Sequence, residues 1–370
     1  MTKPTLHVLG MPHTQVSHEY VRCAYTQKVL KFCQMMTKEG FEVVVYASED
    51  NETPATLVTC ITKREQAKLG FNGPDDYLKN DFNNTQPLYK IFHQRAIYEL
   101  KKRAKPGDII GTFSGRCDLP VIAEMPKCYY VELGIGYSGV AAQYRVYESY
   151  AWLHAMAGAV AGDPANANGK FYDCVIPNYF EPADFPFVAK KKDYVLFVGR
   201  TIQRKGLAII EEVAKRLPDT KFILAGQGAT QEGNKITGVD ITITGDNLEY
   251  VGPVGVEARG QLMSEAKALI VPTLYIGPFE GVQVEANFCG TPSITTNFGA
   301  FTENNIEGLT GYRCATIKQF VEAIGRVGEL DPAKIRDYAM GRFSMDVVGP
   351  MYTKFIEQVK GIENGGFYEL

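Results

Sequence analysis

The chain of 370 residues has no run of some eighteen apolar residues, no Cys-x-x-Cys pair, no low-complexity tract and no internal repeat. A membrane-spanning helix takes roughly 18 consecutive apolar residues or more, so no stable membrane insertion is expected. The eight cysteines, at 23, 33, 60, 117, 128, 174, 289 and 314, are scattered, and several lie in apolar runs such as Cys174-Val175-Ile176-Pro177. Reduced, buried thiols in a cytoplasmic protein (host cytoplasm, for a viral one) fit that pattern; a disulfide framework does not. The five histidines lack the paired spacing of a zinc site, so no metal site is expected. An excess of one charge is also missing. The formal net charge is −3, which argues against a uniformly basic nucleic-acid binder and leaves room for a local basic patch.

What is present suits a soluble globular protein, with 45% hydrophobic and 22% charged residues. The length exceeds one ordinary core and fits two domains of roughly 180 residues each. The opening residues Met1 to Thr5 lead into a short apolar run, Leu6 to Leu9, which reads as a buried strand and not as a signal peptide. A helix from about Tyr20 to Lys38, with Val29, Phe32, Cys33 and Met36 on one face, and a strand from Phe41 to Tyr46 complete a βαβ unit and imply a parallel sheet. A helix from about Pro87 to Lys105 and strands at Asp108–Ile110 and Tyr129–Val131 follow, while Thr53 to Asn84 reads as an irregular excursion.

The second half alternates more clearly. Strands are expected at Tyr194–Gly199, Lys221–Ala225, Ala268–Val271 and Ser293–Thr296. The helices between them are expected at Leu207–Leu217, Val256–Ala266 and Val282–Cys289. The fold class is therefore α/β: two Rossmann-like, doubly wound domains, 1–185 and 186–346, joined through the Pro- and Lys-rich segment 182–192 and facing a central cleft.

The chemistry is most legible in the second domain. Between Val271 and Pro292 a strand ends in a Gly- and Pro-containing loop and a short helix starts near Gly281 and Val282. Free backbone N–H groups at such a start can hold a phosphate, assisted by the helix dipole. Glu285, one turn in, can accept hydrogen bonds from a ribose diol; a plain buried helix is the alternative. The loop Val198–Gly206 carries Arg200, Arg204 and Lys205. Such cations can grip a diphosphate and stabilise the charge that grows on it as a leaving group, or else form a solvated basic loop.

In register, these segments resemble the retaining GT-B glycosyltransferases of family four. Gly199-Arg200 and Lys205-Gly206 match that family's pair at the donor diphosphate. Gly226, in Leu224-Ala225-Gly226-Gln227-Gly228, matches the glycine turn after the second strand. Gly252 and Val254, in Tyr250-Val251-Gly252-Pro253-Val254, match the segment whose backbone meets the nucleobase. Glu285-Ala286 with Cys289-Gly290-Thr291-Pro292 matches the E-A-x-x-C-G-T-P signature, which makes Glu285 the ribose ligand. Asn297 to Glu303 falls where the family has a glycine turn and a glutamate, and Ile176-Pro177-Asn178 resembles the end of its first domain.

One departure stands out. The family's E-x7-E pair would put its sugar-contacting glutamate at 277, which is glycine here, whereas a glutamate stands at 280. Either Glu280 reaches the sugar from a rearranged loop, or it only favours a helix N-terminus.

The first domain is less explicit. Gly10, His13 and Thr14 follow the first strand and can touch donor or acceptor, although a lone histidine is equally an exposed loop residue. Glu132 and Gly134 lie near where the family places a sugar-contacting histidine. The basic run Lys101 to Lys105 reads as a solvated helix end, with a phosphate-bearing acceptor as the alternative.

The resemblance implies transfer of a hexose or pentose from a UDP- or GDP-linked sugar to a hydroxyl acceptor, with retention. It places the donor in the second domain, with Glu280, Arg200 and Lys205 as the catalytic set, and the acceptor in the first. The nucleoside-diphosphate sugar is a co-substrate, and no cofactor is required. No Asp-x-Asp pair is present, and Arg200 and Lys205 can do a metal ion's electrostatic work. The resemblance also implies that a last helix, about 347–370, packs back on the first domain through Met351, Tyr352, Phe355, Ile356 and Val359. Two alternatives stay open: a hydroxymethylated base in DNA as acceptor, as in phage enzymes, and a nucleotide-sugar-binding protein with weak turnover, suggested by Gly277.

Overall fold

The computed structural model describes residues 3–73, 75–125, 127–170 and 172–361. They divide into two compact units. One comprises the described parts of Met1–Glu148, Ala161–Pro177 and Val348–Leu370; the other comprises Ser149–Val160 and Asn178–Val347.

The strands of the first unit are β1 (Leu6–Leu9), β2 (Val43–Ser48), β3 (Thr56–Ile61), β4 (Ile109–Thr112), β5 (Tyr129–Ile135), β6 (Tyr144–Tyr147) and β7 (Asp173–Val175). Among the described residues they form one parallel sheet in the order β3-β2-β1-β4-β5-β6-β7. β1, β2 and β4 are buried along their whole length, as continuous apolar runs covered on both faces require. The strand order reverses between β1 and β4, so the loops leaving these strands diverge there. That position carries Gly10 to Thr14.

The stretch 53–84 is more ordered than its sequence suggests. It contains β3 and the helix Lys63–Lys68, started by a capping box in which Thr62 accepts from Glu65 N–H and Glu65 accepts from Thr62 N–H. The Thr-x-x-Glu spacing after a β-branched run was the available signal.

The helix Met345–Gly361 enters the first unit from Val348 onward. There Tyr352 meets Phe32 edge-on at 5.3 Å, and Thr353 donates to Glu39 at 3.3 Å. Phe355, Ile356 and Val359 are buried with Tyr352, whereas Met351 is exposed.

In the second unit β8 (Tyr194–Val198) and β9 (Lys221–Ala225) precede a small antiparallel sheet of β10 (Thr230–Glu232), β11 (Lys235–Thr237) and β12 (Thr242–Thr244). β13 (Leu248–Gly252), β14 (Ala268–Val271), β15 (Ser293–Thr296) and β16 (Gly311–Cys314) follow. The main sheet is parallel, in the order β13-β9-β8-β14-β15-β16. Alternate residues of β8 feed opposite cores: Val195 and Phe197 pack with Leu207 and Phe222, Tyr194 and Leu196 with Leu269 and Phe288. With both faces filled, polar chemistry is confined to the strand ends.

The chain passes between units at Glu148/Ser149, Val160/Ala161, Pro177/Asn178 and Val347/Val348, the third of these ahead of the 185/186 boundary expected from the linker. Phe180 and Phe185 already pack in the second unit, on Phe279 at 6.2 Å and Phe288 at 5.2 Å.

Candidate functional site

Three of the glycines singled out in the second unit converge at the carboxyl ends of neighbouring strands. Gly199, after β8, donates its N–H to Ala225 O at 3.0 Å. Gly226, after β9, donates to Gly252 O at 2.9 Å and accepts from the Tyr250 hydroxyl at 2.6 Å. Gly226 has φ +143°, and a Cβ there would lie 2.7 Å from the carbonyl carbon of Gly199. Only glycine satisfies both demands. Val254 sits just past β13, partly exposed, in the turn before the helix Val256–Glu265.

The cations of the 199–206 loop part company. Arg200 is exposed. Lys205 is largely buried, and its ammonium lies 3.2 and 3.0 Å from the two carboxylate oxygens of Glu280 and 4.8 Å from the centre of the Tyr275 ring. Burial opposes the charge on Lys205, but Glu280 and Tyr275 outweigh it and raise the lysine above its ordinary pKa. Arg204 lies over the same ring at 4.3 Å. Tyr275 went unremarked in the sequence, where nothing separates it from other loop aromatics.

Glu280 precedes the helix Gly281–Phe288 in the left-handed region, φ 60° and ψ 57°, and its side chain makes no capping hydrogen bond. Glu280 stands at the N-cap position of that helix, and its carboxylate turns to Lys205. A Cβ at Gly277 would fall 2.7 Å from both Cγ and Cδ of Glu280. The bare glycine makes room for the displaced glutamate. Gly281 and Val282 begin the helix, whose first N–H groups have no intrahelical acceptor. Nearby, the buried Thr273 hydroxyl lacks a partner among the described residues.

Glu285, one turn further, faces Arg259 at 3.6 Å and keeps 18% of its side chain exposed. Glu303, beyond the glycine turn, accepts from Tyr150 N–H at 3.0 Å and Ala151 N–H at 2.8 Å, capping the helix Tyr150–Ala161. Ser149 donates to Pro278 O at 2.6 Å. These long-range contacts had no local sequence signal.

In the first unit Gly10 and Thr14 are buried: Gly10 N–H donates to Tyr46 O at 2.8 Å, and the Thr14 hydroxyl meets that of Thr26 at 2.6 Å. Gly134 O accepts from Lys28 at 3.0 Å. His13 is not an exposed loop residue. It is 3% exposed, its Nε2 is 3.5 Å from Cys23 Sγ, and burial pushes its pKa down to about 3. Glu132 is fully buried, its Oε2 accepting from Ala141 N–H at 2.9 Å and Ala142 N–H at 3.0 Å. Burial raises its pKa against the pull of those two N–H groups. Among the described residues no helix is long and apolar enough to cross a membrane.

Residues 192–329 match the family described as glycosyl transferases group 1. A glycogen synthase of Mycobacterium tuberculosis is 32% identical over 149 residues, 38% of this chain and 36% of that enzyme. The chain thus spans about a third of that curated relative. AviGT4, a glycosyltransferase involved in avilamycin A biosynthesis, aligns over 97% of this chain and 98% of its own, with TM-score 0.65 and 17% identity. Anabaena HepE, solved with UDP-glucose, aligns over 96% and 100% with TM-score 0.61 and 12% identity. The fold is GT-B, with two Rossmann-like units, and residues 192–329 are similar to the group 1 glycosyl transferases.

Proposed function

We propose that the chain is a glycosyltransferase that takes a sugar from a nucleoside-diphosphate donor held by its second unit and passes it to a hydroxyl acceptor held by the first. The observation that carries this reading is the convergence of Gly199, Gly226 and Gly252 at three adjacent strand ends, inside the segment that matches the family. Backbone this close to the surface admits a flat base and a diphosphate without side-chain obstruction. In this reading the base lies against Gly252 and Val254 and the ribose reaches Glu285. The diphosphate meets Arg200, Lys205 and the first N–H groups of the helix Gly281–Phe288. As the glycosidic bond breaks, negative charge grows on the leaving phosphate, where fixed cations and helix N–H groups stabilise it. Transfer proceeds with retention and without a required metal.

UDP and UDP-glucose are the first probes, since the similar Anabaena protein was solved with UDP-glucose; GDP and GDP-mannose are the comparison. A bound donor at 100 times its Kd raises stability by about 2.7 kcal/mol, which a thermal shift reads directly. Absence of any shift across nucleotide sugars at saturating concentration would sink the proposal.

A second reading, a binding protein with little turnover, is favoured by one observation: Lys205 is already engaged by Glu280. Donor hydrolysis measured with and without candidate acceptors separates the two.

A further inference from the structure

β9 and β13 are parallel neighbours, and the connection between two such strands is usually a helix. Here it carries the antiparallel β10–β12 sheet instead. That sheet is anchored on the core of the second unit. Ile236 and Ile243 are 0% and 1% exposed and share a core with Leu207 and Ile210 of the helix Leu207–Arg216. The Thr244 hydroxyl donates to Glu211 at 3.0 Å, and Gln231 accepts from Tyr250 N–H at 2.6 Å. The turn 238–241 between β11 and β12, closed by a hydrogen bond from Gly238 N–H to Ile241 O at 2.8 Å, thus stands on a fixed base.

This turn meets the loop 199–206, which bears Arg200, Arg204 and Lys205. Val239 N–H donates to Thr201 O at 3.1 Å, and Asp240 Oδ1 accepts from Gln203 N–H at 2.7 Å. A Cβ at Gly238 would lie 2.5 Å from Thr201 O, so a side chain there would push the two segments apart. Gln203 opens the short helical turn Gln203–Lys205, and the first N–H groups of such a turn have no acceptor within it. Ile202, in the capping position, has no side-chain acceptor to offer. A carboxylate 37 residues along the chain takes that role, with the charge that the positive end of a helical turn favours. The flanks of the loop are held by strand ends of the main sheet: Thr201 N–H donates to Gln227 O at 2.9 Å, and Leu274 N–H to Arg204 O at 2.8 Å.

We infer that Asp240 is a positioning residue for the cations assigned to the donor diphosphate, acting through Gln203 N–H. The inference rests on the donor reading proposed above. Cations fixed in advance stabilise a growing charge without reorganising, which cations on a loose loop cannot do. Arg200 and Lys205 flank the segment 201–203 that the insert grips, so losing the grip loosens both. Gly252, Val254 and Glu285, assigned to the base and ribose, lie on other segments and keep their geometry. Asp240 is itself exposed, so its loss leaves the core of the unit intact.

The test is calorimetry of the full chain with two nucleotide pairs, UDP against UMP and GDP against GMP, joined to hydrogen exchange of peptides covering 199–206. In wild type the diphosphate of the preferred base should bind more tightly than its monophosphate. Asp240→Ala should lower that ratio about tenfold, the loss of one hydrogen bond to a charged group spread over the loop, with monophosphate affinity within about twofold. Exchange at 199–206 should quicken about tenfold, with β8 and β9 unchanged. Asp240→Asn keeps an acceptor oxygen for Gln203 N–H and should recover most of both effects. Gly238→Ala, which forces the turn off Thr201, should reproduce the Asp240→Ala signature and decides the matter if that variant fails to fold. Equal losses of mono- and diphosphate, a loss that asparagine does not recover, or unchanged ratio and exchange in the folded variants overturns the inference and leaves the glycosyltransferase reading standing. If wild type binds neither pair, that reading falls and exchange decides alone: faster exchange at 199–206 in Asp240→Ala supports the positioning of the loop, and unchanged exchange overturns it.

Discussion

Replacing Glu280 by glutamine tests whether the carboxylate at this position serves the transferred sugar. In the structure both its oxygens lie within 3.2 Å of the Lys205 ammonium, with side-chain exposures of 5% and 18%. Its backbone is held left-handed at φ 60°, which costs a non-glycine residue roughly 1–2 kcal/mol. A buried ion pair broken on one side costs about 3–5 kcal/mol; the exposure of Lys205 places this pair at or below the lower end. Glutamine keeps the shape and one hydrogen bond, so Glu280→Gln should fold. It should lower kcat/KM for the nucleotide sugar about tenfold or more, as expected when a polar group matched to a substrate hydroxyl is lost. Affinity for the bare nucleotide should stay within a few-fold by calorimetry. The neighbouring glycine gives an independent check. Gly277→Glu alone must displace the Glu280 side chain, 2.7 Å from the new Cβ, and should cost about 1–3 kcal/mol from overpacking. Gly277→Glu with Glu280→Gly removes both the clash and the left-handed strain. The double-mutant cycle should therefore show coupling of about 1 kcal/mol or more in urea unfolding, with a changed donor preference. Additive stabilities, or wild-type kinetics in Glu280→Gln, would refute the reasoning.

Four further outcomes are expected. Arg200→Ala and Lys205→Ala should each lower turnover by roughly one to three orders of magnitude; wild-type initial rates in both would remove the diphosphate grip. Glu285→Ala should weaken nucleotide and nucleotide sugar alike by about 1.5–3 kcal/mol in calorimetry, and Arg259→Ala, which frees Glu285 from its ion pair, should weaken them much less. His13 is held neutral with its pKa near 3 and titrates near 6.5 when unfolded. The stability that this group supports is therefore complete above about pH 6.5 and is lost at up to about 1.4 kcal/mol per unit as pH falls toward 3; chemical denaturation of His13→Gln between pH 7 and 5 should show a shallower slope. Tyr352→Ala should destabilise the first unit by about 3–5 kcal/mol, since Tyr352 is fully buried against Phe32; a urea midpoint unchanged from wild type would contradict that packing.

How much was legible in the sequence follows from what each half uses for its chemistry. The second unit presents mainly backbone at its strand ends. Gly199, Gly226 and Gly252 stand at the ends of β8, β9 and β13, so parallel-sheet topology fixes their spacing and the chain carries it as a pattern. The bounds of β9 and β14 follow from their apolar runs, and those of β15 from its place in the strand–helix alternation. The β10–β12 insert and β3 were missed because their strands are short or carry threonines facing water, such as Thr230 and Thr242, and so lack the apolar contrast that marks a buried strand.

The first unit works with side chains that meet only in the folded chain. Phe82 lies in the stretch that reads as irregular, Tyr25 on a helix, and Tyr137 beyond β5, so the run of ring contacts from His13 to Tyr137 leaves no spacing to find. The exchange at 277 and 280 shows both limits at once. The sequence shows that a glutamate is absent at one position and present three residues on. Only the packing shows that the two changes depend on each other, because the carboxylate of Glu280 fills the space a side chain at 277 would need. A glutamate at 277 and this conformation of Glu280 are mutually exclusive, so the loop carries one carboxylate toward Lys205, never two. Whatever Glu280 contacts in the donor, its charge enters the site already coupled to the lysine assigned to the leaving phosphate. On the proposed reading, contact with the sugar and stabilisation of the leaving group would be linked through this one ion pair, so a donor that draws Glu280 away would also free Lys205 for the diphosphate.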